Sequence, residues 1–323
     1  MAVTSISRLC LVYGILLPTF GTLLSSFVTA NPLQKRVVPE RSGFKKVWWE
    51  DFTHKDGVSH NWIYDLGTSY PGQVANWGTG EIQTYTKDTN NIRIDNGVLS
   101  IIPRKKPSSG RPTWTSARIE SNTKNQWACV DGKKMIVEAS IKLGSASEAQ
   151  SKGIWPAFWM LGSVFRDKGY KGWPEVGEWD IMESLNGMRQ TWGLVHCGMY
   201  DGQIPIRGPC NEPNGKGSYT KGVGRGIWNT FGIEIDRSSK YWKTEKITWL
   251  INGVRRHSLS GSDINNATAW DFLVHKKFFI LLNVAVGGGF PDGVEGYKTP
   301  YLGTIDGEKV GMQVDWVAVY QQN

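Results

Sequence analysis

The residues from about Val37 onward predict an all-β fold of two antiparallel sheets packed as a sandwich, on three observations. Short apolar or alternating runs recur along the chain, and Gly, Asn, Asp, Ser and Pro separate them. Asn252-Gly253 between two such runs, Ile247–Ile251 and Val254–Leu259, is a two-residue hairpin signal. Few stretches carry a helical period; Ala269–His275 suits one helical turn. The expected strands are Lys46–Phe52, Ile92–Ile94, Val98–Pro103, Lys134–Leu143, Trp155–Leu161, Glu178–Glu183, Thr191–His196, Gly226–Asp236, Lys246–Ile251, Phe278–Val286 and Met312–Gln321. No internal repeat, second domain or carbohydrate-binding appendage is visible in the sequence.

Residues 1–30 are expected to be a signal peptide. Arg8 supplies a positive start, Leu9–Leu24 is mostly apolar, and Val28-Thr29-Ala30 has a small-x-small cleavage form. A membrane anchor is the other reading, but Tyr13, Gly14, Pro18 and Gly21 interrupt the run. Residues 31–36 end in Lys35-Arg36, either a pro-peptide processing pair or two solvated charges. The domain of interest is then 37–323, long enough for one large β-domain. The chain is expected to be secreted, extracellular and monomeric.

The net charge of the full chain is +8. Its basic residues are scattered. The longest basic run, Arg104-Lys105-Lys106, stops at Pro107, so no nucleic-acid footprint is present. With Cys10 in the leader, Cys129, Cys197 and Cys210 remain. A Cys197–Cys210 bridge is favoured because it closes a Gly/Pro-rich loop, leaving Cys129 free and buried; the other pairings stay open. Asn266-Ala267-Thr268 is a glycosylation sequon and places Asn266 at the surface. The chain holds 16 Trp. A sandwich core takes several of them. Trp also stacks its flat face on pyranose C–H surfaces, so the excess favours a saccharide cleft.

Glu178-Trp179-Asp180-Ile181-Met182-Glu183 places three acids in an otherwise apolar run. Acids are rarely buried without a role or a partner. On a helix Glu178 and Asp180 would diverge; on a strand they share a face. Glu183, five positions on, returns to that face if one residue, most simply Met182, is bulged out. Three carboxylates in a row on a concave sheet suit retaining glycoside hydrolysis, which needs a nucleophile and an acid/base. Asp180 would hydrogen-bond Glu178, and crowded negative charge would raise the pKa of Glu183. A calcium site would prefer Asp, Asn and Gly in irregular backbone.

This run resembles glycoside hydrolase family 16. Its longer form, with the extra apolar residue, is like the laminarinase-type branch, which includes fungal endo-β-1,3-galactanases and endo-β-1,3-glucanases. Asn76–Glu81, Ser116–Ile119, Gly153–Leu161, Trp173-Pro174 and Leu281–Gly288 also look like family segments, so the resemblance covers nearly all of 37–323. It implies a β-jelly-roll with an open cleft across the concave sheet. It implies Glu178 as nucleophile, Glu183 as proton donor and acceptor, and Asp180 as the assisting acid. Trp173 matches a platform under the cleaved sugar, and Arg118 a residue that hydrogen-bonds substrate hydroxyls. His196 is placed beside the nucleophile. Trp155 and Trp159, on one face by alternation, and Trp77 are further candidates for substrate binding. No metal or cofactor motif is present, so neither is expected, although the family allows a structural calcium on the convex face.

Departures from the pattern fall beside the sugar and not at the acids. Thr79-Gly80 replaces Asn-Asn; Trp192-Gly193-Leu194-Val195-His196-Cys197 replaces His-Gly-Thr-x-His-Tyr; Gly288-Gly289-Phe290-Pro291-Asp292 replaces Gly-Gly-Asn-Trp-Pro-Gly. Losing polar partners together suggests a sugar other than glucose in some subsites. The expected activity is therefore retaining endo-hydrolysis of β-1,3 bonds in a polysaccharide, leaning slightly to β-1,3-galactan over β-1,3-glucan. A non-catalytic glucan-binding protein is disfavoured because all three acids stand. A wall transglycosylase is disfavoured because the shorter motif, without Met182, is more usual there.

Overall fold

The computed structural model describes residues 37–198 and 208–323. The expected signal peptide, the pro-peptide and its dibasic pair lie outside the described residues. Among these, strands dominate. The sheet that carries the acids runs, in spatial order, Lys216–Lys221, Gln190–His196, Glu178–Glu183, Ile154–Gly162, Phe278–Val286, Arg118–Ser121 and Trp62–Asp65. The opposing sheet runs Val254–Ser260, Lys246–Ile251, Trp228–Asp236, Lys134–Leu143, Met312–Gln322, Val98–Ile101 and Ile92–Asp95, with Phe44–Glu50 also paired to Met312–Gln322. Neighbours in both sheets are antiparallel. A small third sheet joins Gln83–Tyr85, Thr113–Ser116 and Arg104–Lys106, the first pair parallel.

Side-chain alternation explains how the two layers close on each other. In Lys134–Leu143, Met135, Val137, Ala139, Ile141 and Leu143 enter the shared core. Ile136 takes the other face, where it packs with Val38, Trp316, Ala318 and Tyr320. In Phe278–Val286, Phe278, Ile280, Leu282, Val284 and Val286 face the same core. Phe279 and Leu281 face away, joining Tyr70, Leu161, Phe165 and Val176 under Trp77, Trp159 and Trp173. The sheet that carries the acids is thus apolar on its core face, and its other face carries a smaller apolar floor beneath tryptophans. Burial at about 25 cal/mol per Å² makes the main core the dominant stabilising element.

The hairpin expected at Asn252-Gly253 is present. Both residues have positive φ, 53° and 73°, as a two-residue turn of this hand requires. The stretch around Ala269–His275 is helical, Ala267–Trp270 running into Asp271–His275. Asn266 caps it, its side chain accepting the Ala269 N–H, and is half-buried rather than in an open loop. The Cys197–Cys210 disulfide is formed. Cys129 is free and buried, its thiol against the carbonyls of Lys133 and Ile235, and burial pushes that thiol up to about 12. No helix among the described residues is long and apolar enough to cross a membrane.

Candidate active site

Strand Glu178–Glu183 lies between Ile154–Gly162 and Gln190–His196. Trp179 turns into the core, stacked 3.8 Å from Phe278, and donates its N–H to Leu273 O. Ile181 and Met182 are also core residues. The pairing with Ile154–Gly162 runs Trp159 with Asp180, Phe158 with Met182 and Ala157 with Glu183. The residue left over is Ile181, so the bulge expected at Met182 sits one position earlier. Both apolar side chains at the bulge stay in the core, and Met182 keeps its place opposite Phe158.

The register shift returns Glu183 to the face of Glu178 and Asp180. All three acids are nearly buried, yet each has polar company. Trp173 Nε1 donates to Glu178 Oε2 at 3.0 Å, and Trp155 Nε1 donates to Glu183 Oε1 at 2.8 Å. Asp180 and Glu178 share a hydrogen bond. His196 Nε2 lies 3.4 Å from Asp180 Oδ2 and 3.9 Å from Glu178 Oε1. The structure therefore brings together six of the residues singled out from the sequence: Glu178, Asp180, Glu183, Trp173, Trp155 and His196.

Burial, more than crowding, sets the electrostatics. Loss of solvation raises the pKa of Glu178, which His196 and the Trp173 hydrogen bond partly offset. The same loss, with the charges of Glu183 and Glu178, raises Asp180 well above the usual carboxylate range. Glu183 is pushed up to about 7, first by burial, with Glu178 and Glu81 adding to it and His196 and Trp155 opposing. Burial works against a charged His196. The Glu212 hydrogen bond and the charges of Glu178, Glu212 and Glu183 nevertheless hold it up at about 9.

Arg118, expected from its motif to hydrogen-bond substrate hydroxyls, has two protein partners. Nε donates to Asp65 at 2.9 Å and Nη2 to the Tyr70 hydroxyl at 2.8 Å. The guanidinium lies 4.4 Å from the Trp77 ring centre and 4.8 Å from that of Trp159. It is 5% exposed. Two of its donors are committed inward, and its plane supports the two tryptophans through cation–π contact. Trp159 is further fixed by donating to Asn283 Oδ1, whose amide donates to the Tyr85 hydroxyl, which donates to Glu81.

On the Glu183 side a line of rings leads away from the acids. Trp155 packs edge-on to Phe290 at 5.7 Å, Phe290 to Trp192 at 5.5 Å, and Trp192 lies 6.4 Å from Tyr219. Two of these, Trp192 and Phe290, are among the departures noted in the sequence.

Sequence reasoning missed Glu212. It is fully buried, accepts from His196 Nδ1 at 2.7 Å and from the Cys197 N–H at 2.9 Å. The only available signal was its place two residues beyond Cys210, in a Pro- and Gly-rich segment that reads as exposed loop.

Known proteins share this fold and much of this sequence. The 1.5 Å crystal structure of an endo-1,3-beta-glucanase from Streptomyces sioyaensis matches with a TM-score of 0.79 and 38% identity, over 89% of this chain and 100% of that one. A glucan endo-1,3-beta-glucosidase of Cryptopygus antarcticus is 30% identical over 265 residues, 75% of this chain and 80% of its own length. Glucan endo-1,3-beta-glucosidase A1 of Niallia circulans is 28% identical over 299 residues, 88% of this chain; the chain spans only 39% of that protein's length. No family model matches. With the acid run, its sandwich and these relatives together, the chain belongs to glycoside hydrolase family 16.

Proposed function

We propose that this protein cleaves internal β-1,3 bonds of a β-glucan with retention of configuration. The observation that carries the reading is the bulged strand, which sets Glu178, Asp180 and Glu183 on one face between the Trp173 and Trp155 hydrogen bonds. Glu183, holding its proton up to about pH 7, donates it to the leaving oxygen. Glu178 attacks the anomeric carbon and forms a covalent glycosyl-enzyme. Water, deprotonated by Glu183, then releases the sugar. Asp180 shares its proton with Glu178 and steadies it. Trp173 and Trp159 are placed to floor the sugars on the Glu178 side, with Arg118 and Trp77 behind them. The line Trp155–Phe290–Trp192–Tyr219 is placed to take sugars on the leaving-group side.

Glucan is preferred as substrate because the relatives described above are named for 1,3-β-glucan. They lend the lean towards galactan no support, and that lean rests only on Trp192, Phe290 and Thr79-Gly80. Export is part of the proposal: the Cys197–Cys210 disulfide suits an oxidising compartment, where the Asn266 sequon could be glycosylated.

The test is digestion of laminarin, lichenan and debranched arabinogalactan, with product length and first-formed anomer read by chromatography and NMR. Internal oligosaccharides with β anomers from laminarin are expected. Products from the galactan alone would transfer the substrate to β-1,3-galactan, and chains longer than the substrate would make it a transglycosylase. Full activity in Glu178→Gln would overturn the assignment of the nucleophile.

A further inference from the structure

Resting on the glycosidase reading, we propose that Glu212 is a positioning residue for the reaction: it grips Nδ1 of His196, so that the opposite ring nitrogen stays against Asp180 and Glu178. Three observations support it. The Glu212 carboxylate is fully buried, and its two oxygens divide between the His196 ring at 2.7 Å and the Cys197 N–H at 2.9 Å. The Cys197–Cys210 disulfide brackets the pair, one cysteine next to His196 and the other two residues before Glu212. Gly215, at φ +73°, closes on the far side: a Cβ there would come within 2.9 Å of the imidazole. One short segment thus wraps the ring.

The charged groups facing His196 are Glu178, Asp180 and Glu183 from the neighbouring strand and Glu212 from this segment, while Trp173 lies 5.4 Å from the ring. The Asp180 oxygen that His196 approaches has no hydrogen-bond partner among the described residues. Four carboxylates around one imidazole favour its cationic form. An imidazolium held there offsets the negative charge beside the nucleophile without donating a proton to the sugar.

The experiment is an NMR pH titration of the histidine side-chain nitrogens in the full protein, with His196 assigned from His196→Gln. His196 is expected to remain an imidazolium through neutral pH. In Glu212→Gln its titration should fall by at least about one pH unit. In the same variant kcat on the polysaccharide that the wild type cleaves should fall about tenfold, with KM changed less than about twofold. Glu212→Asp, which keeps the charge, should restore most of the titration shift. An unshifted His196 in Glu212→Gln would overturn the proposal. So would a wild-type His196 titrating at the ordinary histidine value, a measurement that needs no variant to fold. The titration is read without substrate, so it stands apart from the choice of polysaccharide.

Discussion

Glu183 is the residue on which the pH behaviour turns. In the proposed reaction it must be protonated to donate, and its pKa is raised to about 7. The donating fraction therefore falls as pH rises through that value. Glu178 must be ionised to attack, and its pKa is also raised, so activity is lost as pH falls on the acid side. The expected kcat/KM profile is a bell with its alkaline limb near 7. Glu183→Gln should lower the rate by about 10²–10⁴-fold and abolish that limb, as stopped assays across pH would reveal. The identity of the acids was legible in the sequence because three carboxylates in an apolar strand have few other uses. The roles of Arg118 and Glu212 were not. A motif match gives a residue's type and position but not where its hydrogen bonds go, and Arg118 spends two of them on Asp65 and Tyr70.

At the scale of the element, one extra residue decides whether the third acid reaches the sugar. Side chains alternate along a strand, so removing the bulge would turn Glu183 into the sandwich. Deleting Ile181 should abolish hydrolysis, whereas Ile181→Val keeps the bulge and should cost only about 0.5–1.5 kcal/mol, read from denaturant unfolding. The presence of a bulge followed from the spacing of the acids. Its place at Ile181 depends on the Phe158 and Trp159 partners, which no local pattern reveals. For the same reason the strand Arg118–Ser121 had no strand signal: Arg118 and Glu120 look solvent-facing, yet both are buried by pairing with Phe278–Val286 and Trp62–Asp65. The ring line beyond Glu183 is also a product of several elements. Trp192→Ala should raise KM for long oligosaccharides more than for short ones, and initial rates over a laminari-oligosaccharide series would check it.

Across the whole molecule, the two sheets form the frame, and the segment from Cys210 to Gly215, between the strands Gln190–His196 and Lys216–Lys221, carries the Glu212 contact to His196. The disulfide ties residues 13 apart in sequence. Closing a loop of that length restricts the unfolded chain by about 3 kcal/mol, so Cys197→Ser with Cys210→Ser should lose roughly that stability in urea unfolding. The same change should loosen Glu212 and lower activity. By itself the sequence determined the class of fold, through alternation and turn residues, and the three acids proposed for catalysis, through their spacing on a strand. Both are local properties, written in periods of two and in single turns. Only the tertiary structure decided which residue bulges, which charges Arg118 and His196 answer to, and which tryptophans stand together beside the acids. These depend on partners tens to hundreds of residues apart, and burial rather than sequence distance sets the strength of their charges.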